Sequence, residues 1–487
     1  MTDLWKLDGA AVAAALDAGD VTSVEVVEAA LARLDEVDPK LNAFCHVDAD
    51  GARAAARASD ERRKAGQARG PLDGVPFSVK DNLFVAGLPA TWGSQLWKSF
   101  VPANDDISVE RMKQAGAVNL GKTTTPEFAS IGSTFSDLLG VTRSPFDLAL
   151  SPGGSSGGAT ASVAAGVTPY ALGTDAGGSI RMPGSITGLY GLRATTGAVA
   201  RAFGFPPLAF DFQAIGLLTR TLEDLKALFA VTSGPDHRDP ASLLVPASRG
   251  RTTGLKVGWF GAIKGAPIDP EVAERLARAA TVFDKAGHVV QESPAPYSME
   301  TFAPIWPSLS PIGAMIAAAS APEPDETPSH YVAAALERAQ GITAEGYGRA
   351  MNHVLEARRQ VSRAWGDTEV FLLPCTPTAA WPAESTGPAM VDGEPAVGDA
   401  VNAFTAWVNV IGYPGLSVPV TPYGDGRPIG VQLVARPGQE ESLFALAEVL
   451  LDLYPQGSVP LDPPGLTPST HISTAGSTPP VKNRRDL

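Results

Sequence analysis

The 487-residue chain has two cysteines, Cys45 and Cys375, so no disulfide framework can hold it together. Charged residues are only 18 % of the chain, and acids outnumber bases to give a net charge of −14. That balance removes the broad basic face that nucleic-acid binding needs, so no nucleic acid is expected as a partner. The three bases of the terminal PVKNRRDL (Lys482, Arg484 and Arg485) read as a solvated end. The start, MTDLWKLDGA, carries neither a basic n-region nor an apolar h-region, so no signal peptide is expected. The longest apolar run of interest, IGAMIAAASA at 312–321, is about half a membrane span, which leads to the expectation of a cytoplasmic protein with no membrane partner.

What the chain has is apolar bulk and loop-formers. Hydrophobic residues make up 44 %, enough for a large core. Gly (50) and Pro (42) are abundant, which predicts many tight turns around an ordered framework. Thr22 and Glu25 form a capping box for an amphipathic helix over 22–37, which Asp38-Pro39 should stop. A charged helix follows at 49–66. Strands are predicted at 75–80, 118–120, 170–172, 256–260, 370–373, 416–420 and 430–434, with helices at 158–166, 270–286 and 440–453 between them. Apolar strands interleaved with helices predict an α/β fold: a large mixed, twisted sheet flanked by helices. Residues 295–365, rich in Pro, Met and Trp and then helical, read as an insertion or cap. Residues 456–487 read as a poorly ordered Pro/Ser/Thr tail.

The stretch SPGGSSGGATASVAAG (151–166) invites two familiar readings. A phosphate loop needs a lysine after the second glycine, and here Gly158 is followed by Ala159-Thr160. A dinucleotide loop needs a strand just before it, and Pro145 and Pro152 stand there instead. Gly153–Gly157 does match the nucleophile elbow G-x-S-x-G, with Ser155 central. An elbow also needs a histidine base. None of the six histidines (His46, His237, His288, His330, His353, His471) has a setting that marks one. The α/β-hydrolase reading is therefore the runner-up.

A serine can instead use a neutral lysine, provided burial lowers its pKa from about 10.4. Lys80 ends the apolar run Val75-Pro76-Phe77-Ser78-Val79 and suits that role, although a strand-end pair with Asp81 would account for it as well. Downstream, Gly173-Thr174-Asp175-Ala176-Gly177-Gly178-Ser179-Ile180-Arg181 supplies small residues whose N–H groups can converge on an oxyanion.

Together these pieces resemble the amidase signature family. PGGSSGGATASVAAGVTPYALGTDAGGSIRMPGSITGLYGLRATT (152–196), LDGVPFSVKDN, GKTTTPEFA and the segment from GYPGLSVPV to LFALAEVLL all look like family segments. Ser179 stands 24 residues after Ser155 and 99 after Lys80, as in that family's Ser–Ser–Lys triad. The likeness spans most of 5–455, with 295–365 the weakest part, and implies a single amidase domain.

The resemblance implies that Ser179 is the nucleophile, Ser155 a proton bridge after a cis Gly154–Ser155 bond, and Lys80 the base. Backbone N–H groups across Ala176, Gly177, Gly178 and Ser179 would form the oxyanion hole. Asp175 and Arg181 would brace the loop, and Ala129 and Ser130 would line the acyl pocket. No metal or organic cofactor is implied. The partner would be a small-molecule amide or carbamate, and a homodimer is a family-level expectation.

Aromatics at Trp92, Trp97, Phe128, Phe203, Phe205, Phe210, Phe212, Trp306 and Trp407 are candidates for the pocket wall, most of them expected to be core. No Arg or Lys stands out as a carboxylate anchor, so neutral, hydrophobic aryl or alkyl amides are the expected substrates. Carbamates (urethanes), esters and cyclic amide or nylon-type oligomers are alternatives. Two further readings are a glutaminase subunit of an amidotransferase and a binding module on a decayed scaffold. Many family members read Asp-Gln-Ile-Gly-Pro where this chain has Phe212-Gln213-Ala214-Ile215-Gly216-Leu217, which weakens the glutaminase reading.

Overall fold

The computed structural model describes residues 3–246, 250–396, 400–421, 427–453 and 466. The expected tail at 456–487, with its three bases and His471, lies outside the described residues apart from Leu466.

One sheet of eleven strands organises the chain. In chain order they are β1 (Phe44–Val47), β2 (Pro76–Lys80), β3 (Val118–Thr123), β4 (Tyr170–Asp175), β5 (Tyr190–Arg193), β6 (Ala214–Thr219), β7 (Lys256–Trp259), β8 (Val289–Glu292), β9 (Val370–Pro374), β10 (Gly415–Pro419) and β11 (Gly430–Ala435). Their order across the sheet is β1-β3-β2-β4-β6-β5-β10-β11-β9-β7-β8. The pairs β3–β2–β4 and β9–β7–β8 are parallel, and the remaining pairs are antiparallel. The mixed α/β sheet flanked by helices is thus as the sequence predicts.

Both faces are covered, which is why the strands read as continuous apolar runs rather than alternating ones. The period of two still sorts side chains to opposite sides. Phe77 and Val79 of β2, Tyr170 and Leu172 of β4, and Ile215 and Leu217 of β6 enter one large core. Ala171 and Leu218 pack instead with Ala159, Val163 and Ala164 of the helix Gly157–Ala164. Lys80 alternates away from Phe77 and Val79, so it falls on that helix's side of the sheet.

The helix predicted over 22–37 runs as Ser23–Leu41, with its capping box formed. Pro39 does not stop it: the chain turns at Asn42, in left-handed conformation, and Asp38 accepts the N–H groups of Ala43 and Phe44. Proline in the last turn costs little where the chain is about to leave the helix. Strands 118–120 and 170–172 extend to Thr123 and Asp175. Their polar ends look like loop in sequence but remain paired in the sheet.

The predicted insertion is helical, with Met299–Phe302, Trp306–Ala319, His330–Gln340 and Ala344–Ala364. The wider stretch Met299–Ala319 reaches membrane-crossing length and composition. Its Leu309, Pro311, Gly313, Ala314 and Ala317 are buried against the rest of the protein. It docks through that one face, with Met315 and Ile316 exposed on the other: the main chain of Leu208 lies where a side chain on Gly313 would sit, and Trp97 Nε1 donates to the Ala317 carbonyl.

Candidate active site

Two strands end at the same place. Lys80 is the last residue of β2 and Asp175 the last of β4, its parallel neighbour. In α/β sheets, chemistry gathers at such carboxyl ends. The loop before Gly157–Ala164 crosses over them and brings its two serines with it.

The adjacent serines have different partners. Ser155 Oγ lies 2.7 Å from Lys80 Nζ, whereas Ser156 Oγ donates to the Thr174 carbonyl at 3.3 Å. The Gly154–Ser155 peptide bond is cis. Threonines hold the loop: Thr125 Oγ1 donates to the Ser155 carbonyl, and Thr134 Oγ1 donates to that of Gly153 and accepts the Gly157 N–H. Glycine is required at 154, because a Cβ there would meet the Ser133 backbone at 2.5 Å.

Lys80 is fully buried and forms no pair with Asp81. Asp81 turns to Thr91 and to the Gly93 N–H instead, near the second buried lysine, Lys122. Among the described residues, Lys80 bonds only hydroxyls, those of Ser155 and of Thr174 at 3.1 Å. Burial pushes its amine down to about 7, against the pull of the Asp175 charge. Near neutrality such an amine is about half unprotonated, and that fraction has a lone pair that can accept a hydroxyl proton. Thr174 is held in turn by Asn82, whose Nδ2 lies 2.9 Å from Thr174 Oγ1. Neither residue carried a sequence signal beyond its place beside Lys80 or Asp175.

The turn Ala176–Ser179 leaves β4 and is only half-buried, apart from Gly178. Asp175 folds back under it, accepting from the N–H groups of Gly178 (2.8 Å) and Ile180 (3.2 Å). Gly178 therefore does not fit the predicted oxyanion set, since its N–H is already spent. The N–H groups of Ala176, Gly177 and Ser179 have no partner among the described residues. The Ser179 hydroxyl likewise makes no hydrogen bond among them, and it sits in the half-buried turn rather than in the sheet.

Beneath the turn, all five donors of the Arg181 guanidinium are used. They reach both Asp175 oxygens, the Thr405 carbonyl, Gln432 Oε1 and Asn409 Oδ1. Burial alone would raise the Asp175 carboxyl, but Arg181 and Asn409 override it and hold it well below the usual carboxylate range. Thr405 Oγ1 adds a bond to the Gly177 carbonyl at 2.6 Å. Asn409, Thr405 and Gln432 come from remote segments, and spacing could not have announced them.

The predicted wall residues divide. Trp92, Trp97, Phe128 and Phe205 are buried in one aromatic cluster. Trp407 stacks on Tyr297 in another. Phe203 is half-buried and Phe210 exposed, while the Phe212 ring meets Trp306 at 5.3 Å. Ala129 is half-buried and Ser130 exposed, with Ser130 Oγ donating to the Glu127 carbonyl. Among the described residues, no histidine bonds to Ser155, Ser156 or Ser179, so the elbow reading finds no base.

A buried neutralisable lysine bonded to a serine, beside a turn whose Ala176, Gly177 and Ser179 N–H groups are unpartnered among the described residues, is an arrangement that can activate a serine hydroxyl without a histidine. The comparisons with known proteins make this specific. A family profile described as Amidase matches residues 25–444. The chain belongs to the amidase signature family, whose members act on amide C–N bonds.

Among curated relatives, a glutamyl-tRNA(Gln) amidotransferase subunit from Acidothermus cellulolyticus is 34 % identical, covering 93 % of this chain and 95 % of its own. Among solved structures, 6-aminohexanoate cyclic dimer hydrolase superposes with a TM-score of 0.83 at 28 % identity, over 96 % of this chain and all of its own. A bacterial aryl acylamidase superposes with a TM-score of 0.84 at 26 % identity, over 95 % of this chain and 99 % of its own.

Proposed function

We propose that the chain hydrolyses neutral, hydrophobic amides through an acyl-enzyme on Ser179. The observation that carries this reading is the buried Lys80–Ser155 contact at the foot of the Ala176–Ser179 turn. Neutral Lys80 accepts the Ser155 proton as Ser155 takes the proton of Ser179, and Ser179 oxygen attacks the carbonyl carbon. The N–H groups of Ala176, Gly177 and Ser179 hold the oxyanion. Each such donor is worth about 2.7–4 kcal/mol in related chemistry. The proton then returns through Ser155 to the leaving nitrogen as the C–N bond breaks. Water, deprotonated through the same relay, releases the acid. No cofactor takes part in these steps. Asp175 and Arg181 brace the turn, and Ala129 and Ser130 lie at the acyl side.

The aromatic surroundings of Trp306 and Phe212 and the likeness to an aryl acylamidase favour aryl or alkyl amides. The likeness to a cyclic-dimer hydrolase keeps nylon-type oligomers in view. Carbamates and esters present the same reacting carbonyl. The test is a panel of anilides, aliphatic amides, carbamates and esters with wild type, Ser179→Ala and Lys80→Ala. Anilide turnover abolished by both substitutions supports the reading. Full activity in Ser179→Ala overturns it.

A second reading, a glutaminase that feeds ammonia to a partner within an amidotransferase, is favoured by the names of the curated relatives. The run Phe212–Leu217 departs from the family pattern and counts against it. Glutamine hydrolysis that requires added partner proteins, with no anilide activity, would establish it. A cytoplasmic location and a homodimer complete the proposal; sizing chromatography with light scattering reads the latter.

A further inference from the structure

Two buried polar atoms near the turn have nothing to bond. Asn402 Oδ1, an acceptor, and Trp306 Nε1, a donor, are out of solvent and unpartnered among the described residues. Leaving such groups unpaired costs more than a made bond returns, so two orphans side by side near the turn need an explanation.

Both side chains face the same point. A Cβ built on Gly177 would meet Asn402 Nδ2 at 3.6 Å, then Trp306 Cζ2 at 3.7 Å and Cη2 at 3.8 Å. These are its three nearest atoms, all at ordinary van der Waals distance, so the Asn402 and Trp306 side chains lie together over Gly177. Separate elements put them there. Trp306 opens the helix Trp306–Ala319 of the insertion and packs on Phe212. Asn402 ends the short helical turn Ala400–Asn402, its carbonyl accepting the Thr405 N–H while Thr405 Oγ1 bonds the Gly177 carbonyl.

We propose that Asn402 and Trp306 read the hydrogen-bonding pattern of the substrate's amide group. Asn402 Oδ1 accepts the N–H carried by the reacting carbonyl, and Trp306 Nε1 donates to an oxygen further along the substrate, such as the alkoxy oxygen of a carbamate or a neighbouring carbonyl. The inference rests on Ser179 as nucleophile. It deepens that reading by specifying N–H-bearing substrates, secondary amides and carbamates, over the matching esters. It also gives the insertion a role, as the bearer of one of the two reading groups.

The test pairs an anilide with the phenyl ester of the same acid, in wild type, Asn402→Leu and Trp306→Phe. Asn402→Leu should lower kcat/KM for the anilide by about ten- to a hundredfold. The ester, which has no N–H to lose, should change by less than about threefold. Trp306→Phe keeps the ring and removes the donor. It should penalise an O-alkyl N-aryl carbamate more than an anilide lacking a second oxygen. Labelling of Ser179 by a phosphonate, which needs neither contact, reports whether each variant is folded and reactive. Equal losses on anilide and ester, or none on either, in a variant that still labels overturn the inference. A wild type that neither labels nor turns over any of these substrates overturns the Ser179 reading itself.

Discussion

Lys80 Nζ and Ser155 Oγ lie 2.7 Å apart, inside the protein, with no carboxylate among the described residues bonded to either. A lysine placed this way is costly to charge, and its basicity is set by that cost rather than by a partner.

Turnover should rise with pH through about 7 and then level off. Below about 7 the Lys80 amine is protonated and cannot accept the Ser155 proton; above it the base is free. The pH profile of kcat/KM on a neutral substrate checks this. A limb that continues to climb to the ordinary lysine range would show that Lys80 is not the titrating base.

The same burial makes Lys80 destabilising at neutral pH. Its folded pKa of about 7 lies below its unfolded value of about 10.4, so between these values the unfolded chain binds more protons and stability rises with pH. Lys80→Met fills a similar volume without the charge. The variant should be inactive yet unfold at a higher temperature than wild type at pH 7, with the gap shrinking towards pH 10. Thermal melts at the two pH values read both.

Asp175→Asn leaves the buried Arg181 guanidinium without its counter-charge and weakens the acceptor for Gly178. Breaking such a pair typically costs about 3–5 kcal/mol. Chemical denaturation should show a loss of that order, and Ser179 labelling should slow in the protein that remains folded.

Two neighbouring glycines should behave differently. Gly178 has φ +123°, and a Cβ there would meet Thr405 Oγ1 at 2.1 Å, so Gly178→Ala should disrupt the turn and lower the melting temperature. Gly177 has no contact under 3.6 Å and an ordinary φ, so Gly177→Ala should fold normally. Its methyl enters the space between Asn402 and Trp306. Activity should fall more for bulky anilides than for small aliphatic amides.

The sequence carried the frame and one half of the site. Apolar runs such as Val75–Val79 announced strands because burial on both faces leaves little polar alternation. The elbow pattern singled out Ser155 as an attacking serine and the family resemblance as a proton bridge, and the structure separates it from Ser156 by their partners, Lys80 and the Thr174 carbonyl. The Gly178 N–H was misassigned because a run of small residues shows which N–H groups lack steric cover, not which are already bonded. Asp175 takes that one. Asn402, Thr405, Asn409 and Gln432 were illegible, as they meet the turn only through contacts more than 200 residues apart in sequence. The end of the first long helix was missed because Pro39 in a last turn does not break what precedes it.

The most direct measurement is covalent labelling with a fluorophosphonate, mapped by peptide mass spectrometry, in wild type, Ser179→Ala and Lys80→Met across pH 5–9. The account predicts a single adduct on Ser179, absent in Ser179→Ala, with a rate that rises through about pH 7 in wild type and is slow and flat in Lys80→Met. An adduct on Ser155, or a labelling rate indifferent to Lys80, would contradict it.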